Sequence, residues 1–197
     1  MTKLTLASKS AARAQLLRGA GVAFDMASAG VNEDALKTEL LSHGTSPAEI
    51  AGALADSKAL AVAWDVEGLV IGADQTLDFE GRLFDKAASI EEARERLRML
   101  RGRPHKLHSA ISVARGNEIL WRETETATLH MRDFSEAWLE DYLQRNSDAA
   151  LTSVGCYQLE GEGVQMFDHI DGDYFVILGL PLFGLLSFLR RQGVLAA

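Results

Sequence analysis

One short apolar run constrains the fold of this chain more than any other feature. Residues 69–73 read Leu-Val-Ile-Gly-Ala, without a polar side chain, and the run stops at Asp74. A run of this length bounded by polar residues is typical of a buried strand, so we predict a strand over 69–73. A carboxylate directly after such a strand, on a turn, lies where α/β sheets place their ligand sites. We expect Asp74 either to hold a metal ion or accept a proton from water, or only to cap the turn.

Helices and strands alternate along the rest of the chain, and this alternation predicts an α/β fold with a mixed, twisted sheet flanked by helices. There is no internal repeat, low-complexity tract or linker, so we predict a single domain over residues 1–197. Predicted strands cover 4–7, 69–73, 105–114, 119–131 and 176–180, and predicted helices cover 11–19, 47–64, 90–100, 135–145 and 183–191.

Composition and charge disfavour several classes of protein. A formal net charge of −8 at pH 7 argues against a nucleic-acid partner, because such binders neutralise phosphates with Lys and Arg. A mononucleotide remains open, since it needs only a few local cations. The longest apolar stretch, residues 175–189, is interrupted by glycine and proline and is shorter than the ~20 residues that cross a bilayer, so we expect no membrane partner. The single cysteine, Cys156, fits a reducing compartment such as the cytoplasm.

The first predicted helix begins next to a hydroxyl-rich turn. Ser8 and Ser10 both precede it and are both plausible N-caps, and the N-terminus of a helix offers unpaired N–H groups to an anion. Arg13 lies in the first helical turn, where a cation opposes the helix dipole. Its position therefore suits an anionic ligand better than it suits helix stability.

Further charged residues lie where they could reach the same place as Asp74. Lys86 follows a predicted hairpin at Glu80 and Gly81, and Lys58 lies on the long alanine-rich helix. Lone lysines are most often solvated surface charges, so both interpretations stay open. Glu33 is either a second acidic site residue or part of a polar loop. From the residues alone, the pattern indicates a site of carboxylates and cations suited to phosphate.

Taken together, these segments resemble the Maf family, the septum-formation-inhibitor-like nucleotide pyrophosphatases, over nearly the whole chain. Each motif is short, but six occur in the family's order. They are the opening Leu-Ala-Ser-x-Ser segment from Leu6 to Arg13, Glu33 in an acidic loop, Lys58-Ala59, Gly72-Ala73-Asp74 followed by Lys86, Gly102-x-x-His105, and Gly179-Leu180-Pro181.

The resemblance implies an elongated two-lobed fold with a central cleft, similar to inosine triphosphatases. It also implies hydrolysis of a nucleoside triphosphate between its α- and β-phosphates, as house-cleaning of the nucleotide pool. Asp74 would be the catalytic proton acceptor and, with Glu33, would bind a divalent cation such as Mg²⁺, Mn²⁺ or Co²⁺. The phosphate-binding residues would be Ser8, Arg13, Lys58 and Lys86. A homodimer is a further expectation from the family.

Three positions bear on the base that is recognised. Gln75 and Glu160 are similar to the subgroup that acts on 7-methyl-GTP, whereas the subgroup that acts on dTTP and UTP has Thr and Gln there. Ala12 departs from both, since the first subgroup has Trp and the second Arg at that position. Asp85-Lys86-Ala87 also replaces the family's Gly-Lys-Pro. Three alternatives stay open: a dTTP/UTP pyrophosphatase, an inosine-triphosphate-type enzyme, and a nucleotide-binding regulator of septum formation with little or no hydrolysis.

Overall fold

The computed structural model describes residues 2–196 as an α/β fold with one mixed sheet, which confirms the predicted fold class. Its strands are β1 (Leu4–Ala7), β2 (Asp25–Ala27), β3 (Leu69–Phe79), β4 (Arg82–Phe84), β5 (Pro104–Arg115), β6 (Glu118–Met131) and β7 (Phe167–Asp171). Its helices are α1 (Ala11–Gly19), α2 (Glu33–Ser42), α3 (Pro47–Ala63), α4 (Ile90–Leu100), α5 (Glu136–Arg145), α6 (Ser147–Thr152), α7 (Tyr174–Ile177) and α8 (Leu182–Arg191), with a 3₁₀ helix over Glu162–Met166. The sheet order is β2-β1-β3-β5-β6-β7, and β4 pairs with β3.

The chain divides into two compact units. The first comprises the residues up to 75, then 108–125 and the residues from 173 onward, and the second comprises 76–107 and 126–172. Strands β3, β5 and β6 contribute residues to both units. The predicted central cleft and the single domain over 1–197 stay predictions.

In the first unit, β1 lies between β2 and β3 and runs parallel to both, and its last residue, Ala7, pairs with Gly72. Because successive side chains of a strand point to opposite faces, β3 supplies two separate cores. Ile71 packs with Leu17 of α1 and Leu185 of α8 on one face. On the other face, Val70 packs against α3. The ends of these parallel strands therefore lie between two helical layers.

In the second unit, a tight hairpin joins β3 to β4. Phe79 pairs with Arg82, so the connection has only two residues, Glu80 and Gly81. Both have positive φ, 55° and 81°, which is the geometry of a type I′ turn. The predicted hairpin is confirmed. Helix α4 packs against α5 and α6 in the same unit.

Two strand predictions are wrong, one in its end and one in its type. β3 does not end at Ala73 but continues to Phe79, so Asp74 lies within a strand and not on a turn. The segment predicted as a strand over 176–180 instead begins with the last two residues of α7. This helical turn starts because the Asp173 carboxylate accepts hydrogen bonds from the N–H groups of Phe175 and Val176.

The five predicted helices agree closely with α1, α3, α4, α5 and α8, several of which carry clear start signals, whereas α2 and α6 were not predicted. Ser46 and Glu49 form a reciprocal capping box at the start of α3. Ser89 and Ser135 cap α4 and α5. Within residues 2–196, no helix combines the length and apolar character needed to cross a membrane.

Candidate phosphate-binding active site

The turn after β1 is organised by two serines. Ser10 is the N-cap of α1, and its hydroxyl accepts a hydrogen bond from the Arg13 N–H. The Ser8 hydroxyl accepts hydrogen bonds from the Ser10 N–H at 3.2 Å and from Arg13 Nη1 at 3.4 Å. A hydroxyl oxygen that accepts two hydrogen bonds still has its own proton to donate, and no acceptor for it lies among the described residues. Ser8 can therefore donate to a ligand oxygen.

Arg13 is buried and ties three segments of the first unit together. Its Nε donates to the Gly179 carbonyl at 2.8 Å, and its Nη1 donates to the Ala73 carbonyl at 2.8 Å. Burial lowers the pKa of Arg13, while the negative charges of Asp74 and Glu33 act in the opposite direction. Arg13 therefore fixes the end of the parallel strands and places a positive charge close to both carboxylates.

Lys58 lies between two carboxylates. Its Nζ donates to Asp74 Oδ1 at 2.6 Å and lies 2.9 Å from Glu33 Oε1. The Lys58 and Asp74 side chains are only 11 % and 10 % exposed, whereas Glu33 is 40 % exposed. Glu33 is not part of a polar loop but is the first residue of α2, which Asn32 caps. Residues separated by 41 positions of sequence thus meet at one ammonium group.

Gly72 explains how α3 comes close enough for this contact. A Cβ at position 72 would lie 2.1 Å from the Ala55 carbonyl oxygen and 2.5 Å from the Ala59 nitrogen, both in the α3 backbone. Only glycine lets the helix pack so tightly on β3. Lys58 precedes Ala59 on this helix and therefore reaches Asp74, two residues beyond Gly72.

Gln75 points away from Asp74 and binds the backbone of α7. Its Nε2 donates to the carbonyls of Val176 at 3.0 Å and Ile177 at 2.9 Å, and to Ser109 Oγ at 2.9 Å. Ser109 is fully buried and donates to the Val176 carbonyl at 2.6 Å. Sequence reasoning missed Ser109, although a serine at a core-facing position of an apolar strand is a recognisable signal. The amide of Gln75 thus supports the α7 segment, and its role in specificity stays a prediction.

The other predicted residues are more exposed. Ala12 is partly exposed in the first turn of α1. Lys86 and Glu160 belong to the second unit, where both are exposed, on the segment after β4 and in a turn before the 3₁₀ helix. Neither side chain has a hydrogen bond or ion pair with any residue that the structure describes.

The carboxylates of Asp74 and Glu33 are suited to a divalent cation. Both have an oxygen in contact with the same nitrogen, so the two oxygens converge on one point. Mg²⁺ is commonly held by one or two carboxylates together with phosphate oxygens and water. No group of three or more His, Cys, Asp or Glu residues within 2–196 could hold a metal ion. An ion at this site would therefore need oxygens from the ligand to complete its coordination.

Comparison with known proteins identifies close relatives. A family model described as Maf-like protein matches residues 3–192. A nucleoside triphosphate pyrophosphatase of Caulobacter vibrioides is 58% identical over 99% of this chain and 98% of its own. A 7-methyl-GTP pyrophosphatase of Rhizobium meliloti is 47% identical over 98% of each chain, and one of Brucella abortus is 45% identical over 96% of each.

Proposed function

Because this chain belongs to the Maf-like protein family, we propose that it hydrolyses a nucleoside triphosphate between the α- and β-phosphates and releases pyrophosphate. Relatives that are 45% to 58% identical are named nucleoside triphosphate or 7-methyl-GTP pyrophosphatases, which are hydrolases of acid anhydrides. The observation that carries the proposal is the buried cluster in which Lys58 joins Asp74 and Glu33 beside Arg13.

Such a cluster is hard to explain by stability alone. Moving an ion pair out of water costs several kcal/mol per ion, roughly, and well-packed apolar side chains in its place are often as stable or more so. Lys58 and Asp74 nevertheless meet at 2.6 Å in a nearly solvent-free position at the end of a parallel strand pair. Buried charge clusters at such positions favour a functional explanation.

The charges of the cluster also explain why a cation should accompany the substrate. Two carboxylates and the cations Lys58 and Arg13 are close to neutral together. A triphosphate brings several negative charges, so further positive charge is needed, and Lys86 would supply part of it. Mg²⁺, Mn²⁺ or Co²⁺ held by Asp74 and Glu33 would supply the rest, neutralising charge that develops on the departing pyrophosphate.

The residues of the first unit have distinct roles in this proposal. Asp74 accepts the proton of the water that attacks the α-phosphorus, because it is the buried carboxylate of the cluster. Lys58 holds that carboxylate in place and stabilises negative charge on the phosphates. Ser8 donates its free hydroxyl proton to a phosphate oxygen, and Arg13 adds positive charge while its hydrogen bond to the Ala73 carbonyl holds β3 next to Asp74.

Asp74→Asn tests the proposal directly. We expect the variant to fold and to lose about 10²- to 10⁴-fold in kcat, the usual contribution of a general base. Asp78→Asn is a matched control on the same strand, because Asp78 accepts a hydrogen bond from the Gly81 N–H and an Asn oxygen can do the same. Pyrophosphate release is measured with each cation and after chelation by EDTA. Near wild-type turnover in Asp74→Asn, or full activity in EDTA, would contradict the mechanism.

For the substrate, we propose a modified purine nucleotide such as 7-methyl-GTP. The relatives from Rhizobium meliloti and Brucella abortus that carry this name are 47% and 45% identical. The exposed carboxylate of Glu160 suits the donor groups of guanine and the positive charge of a methylated ring. Kinetics with 7-methyl-GTP, GTP, dTTP, UTP and ITP test this, and a higher kcat/KM for dTTP or UTP would refute it.

Location and assembly complete the proposal. We propose that the protein acts in the cytoplasm, as an enzyme of the nucleotide pool would, and its single cysteine, Cys156, is buried and free. We propose a homodimer on family grounds alone, and light scattering after gel filtration tests it.

A further inference from the structure

The segment that carries Lys86 is held by its backbone on both sides of the lysine. Residues 85–89 link β4 to α4 and contain neither regular secondary structure nor proline. Their backbone conformation therefore depends on contacts with other elements. The carbonyl of Asp85, directly before Lys86, accepts a hydrogen bond from Arg96 Nη1. The N–H of Ala88, two residues after Lys86, donates to Glu92 Oε2 at 2.9 Å. Both restraints come from α4.

Arg96 and Glu92 are also bound to each other. Arg96 Nη2 donates to the second oxygen, Glu92 Oε1, at 2.8 Å, and the two residues are one helical turn apart. We call this ion pair the clamp. Arg96 Nη1 binds the backbone before Lys86, and Glu92 Oε2 binds the backbone after it. Arg96 Nη1 additionally donates to the Val154 carbonyl at 2.9 Å, in the segment that leads to Glu160.

The burial of Arg96 shows that this contact is costly to make. Arg96 is only 5 % exposed and its guanidinium lies 5.3 Å from the centre of the Phe84 ring. Its Nε has no hydrogen-bond partner within the described part of the chain. By contrast, Arg94 and Arg98 on the same helix pair with Glu140 and Glu136 at the surface. Arg96 is buried at the cost of its hydration, and its hydrogen bonds go to the backbone carbonyls of Asp85 and Val154. We therefore expect Arg96 to restrain the two loops that contain these residues.

We propose that Arg96 and Glu92 are positioning residues that fix the Lys86 segment so that its ammonium group can bind the polyphosphate. The inference rests on the proposed function, in which Lys86 binds phosphate. Lysine is a flexible side chain, so a fixed backbone is needed to direct its charge to one place. Displacing a group that contacts substrate by about 1 Å can cost on the order of 10²-fold in rate.

A double-mutant cycle on kcat/KM tests the clamp. Arg96 and the Ala88 N–H bind different oxygens of Glu92, and Gln replaces one of these oxygens with an NH₂ donor, so Glu92→Gln loses one of the two hydrogen bonds in this geometry. We expect Lys86→Met to lower kcat/KM for the preferred triphosphate at least about tenfold, the worth of one charge-assisted hydrogen bond. Glu92→Gln and Arg96→Met should each lower it several-fold alone. In the Lys86→Met background, Glu92→Gln should have almost no further effect, because it acts through the lysine. Any effect of Arg96→Met that remains there reports the loss of its bond to the Val154 carbonyl.

Two control variants separate this role from helix stability. Glu91→Gln removes the same charge from the first turn of α4, and Arg94→Met removes a surface ion pair. The ion pairs of these two residues are with each other and with Glu140. Both should leave kcat/KM within about twofold of wild type. Thermal unfolding checks each variant, and if Arg96→Met does not fold, the exposed Glu92→Gln carries the test.

The outcomes distinguish this inference from the proposed function. If the wild-type protein hydrolyses no triphosphate, the proposed function fails. If it is active but Lys86→Met matches wild type, or if Glu92→Gln lowers kcat/KM equally with and without Lys86, the positioning role is overturned and the hydrolase assignment stands.

Discussion

Gly72→Ala puts the packing of α3 on β3 to its most direct test. The added Cβ would lie 2.1 Å from the Ala55 carbonyl oxygen, 2.5 Å from the Ala59 nitrogen and 2.9 Å from the Ala59 Cβ. Two of these atoms belong to the helix backbone, which cannot rotate away as a flexible side chain would. The clash can be relieved only if α3 withdraws from the strand.

The size of the effect follows from these distances. Ordinary contact begins at 3.4 Å, so the helix must move by about 1 Å. Overpacking of this kind costs about 3 kcal/mol, which lowers Tm by roughly 6–12 °C in a chain of this size. Lys58 moves with the helix, and its 2.6 Å hydrogen bond to Asp74 lengthens beyond about 3.2 Å, where it is weak. Turnover should fall on the order of 10²-fold.

Gly52→Ala is the matched control on the same helix. A Cβ there meets only Thr124 Oγ1, at 3.8 Å, which is an ordinary contact. Because alanine favours a helix interior over glycine by about 1 kcal/mol, this variant should melt a few degrees higher and keep its activity. Calorimetry and pyrophosphate release measure both properties. A Gly72→Ala protein that melts with the wild type and turns over normally would refute the close-packing argument.

Two further substitutions test buried groups by urea unfolding. Lys58→Met should cost about 3–5 kcal/mol, because Asp74 and Glu33 lose the ammonium group that pairs directly with both of them. Adding Asp74→Leu to Lys58→Met should recover most of this loss, and a Lys58→Met protein as stable as wild type would contradict the argument. Burial lowers the pKa of His105 to about 4 from the 6.5 of an exposed histidine. The unfolded chain therefore binds a proton that the folded protein does not as pH falls from 6.5 to 4, which removes about 3 kcal/mol of stability over that window. His105→Phe should flatten this slope, and an unchanged slope would assign it to other groups.

Five of the eight α-helices within residues 2–196 were predicted, and the clearest of them have ends that are encoded locally. Ser46 and Glu49 satisfy each other's backbone groups within four residues of sequence, so no tertiary contact is needed to recognise the start of α3. The same holds for the turn at Glu80 and Gly81, although the positive φ of Glu80 is unusual for a residue with a side chain. Capping and turn signals of this kind can be recognised in the sequence without knowledge of the fold.

Elements whose character depends on distant neighbours were missed or misassigned. Val176 and Ile177 are apolar and β-branched, which favours a strand, but the Asp173 cap makes a helical turn there. The carbonyls of that turn then bind Gln75, which is about a hundred residues away in the sequence. A local sequence pattern cannot show that the distant Gln75 amide will donate hydrogen bonds to these carbonyls.

The continuation of β3 through Asp74 has the largest consequence for the site. A turn at this position would leave the orientations of Asp74 and Gln75 free, whereas a strand fixes them on opposite faces. Asp74 therefore meets Lys58 of α3, and Gln75 meets the backbone after Asp173. Arg13 also binds the Ala73 carbonyl, so the strand is restrained at the residue directly before Asp74. The consecutive residues Ala73, Asp74 and Gln75 thus have separate chemical and supporting roles. This separation requires a strand that continues past Ala73, where the sequence pattern predicted its end.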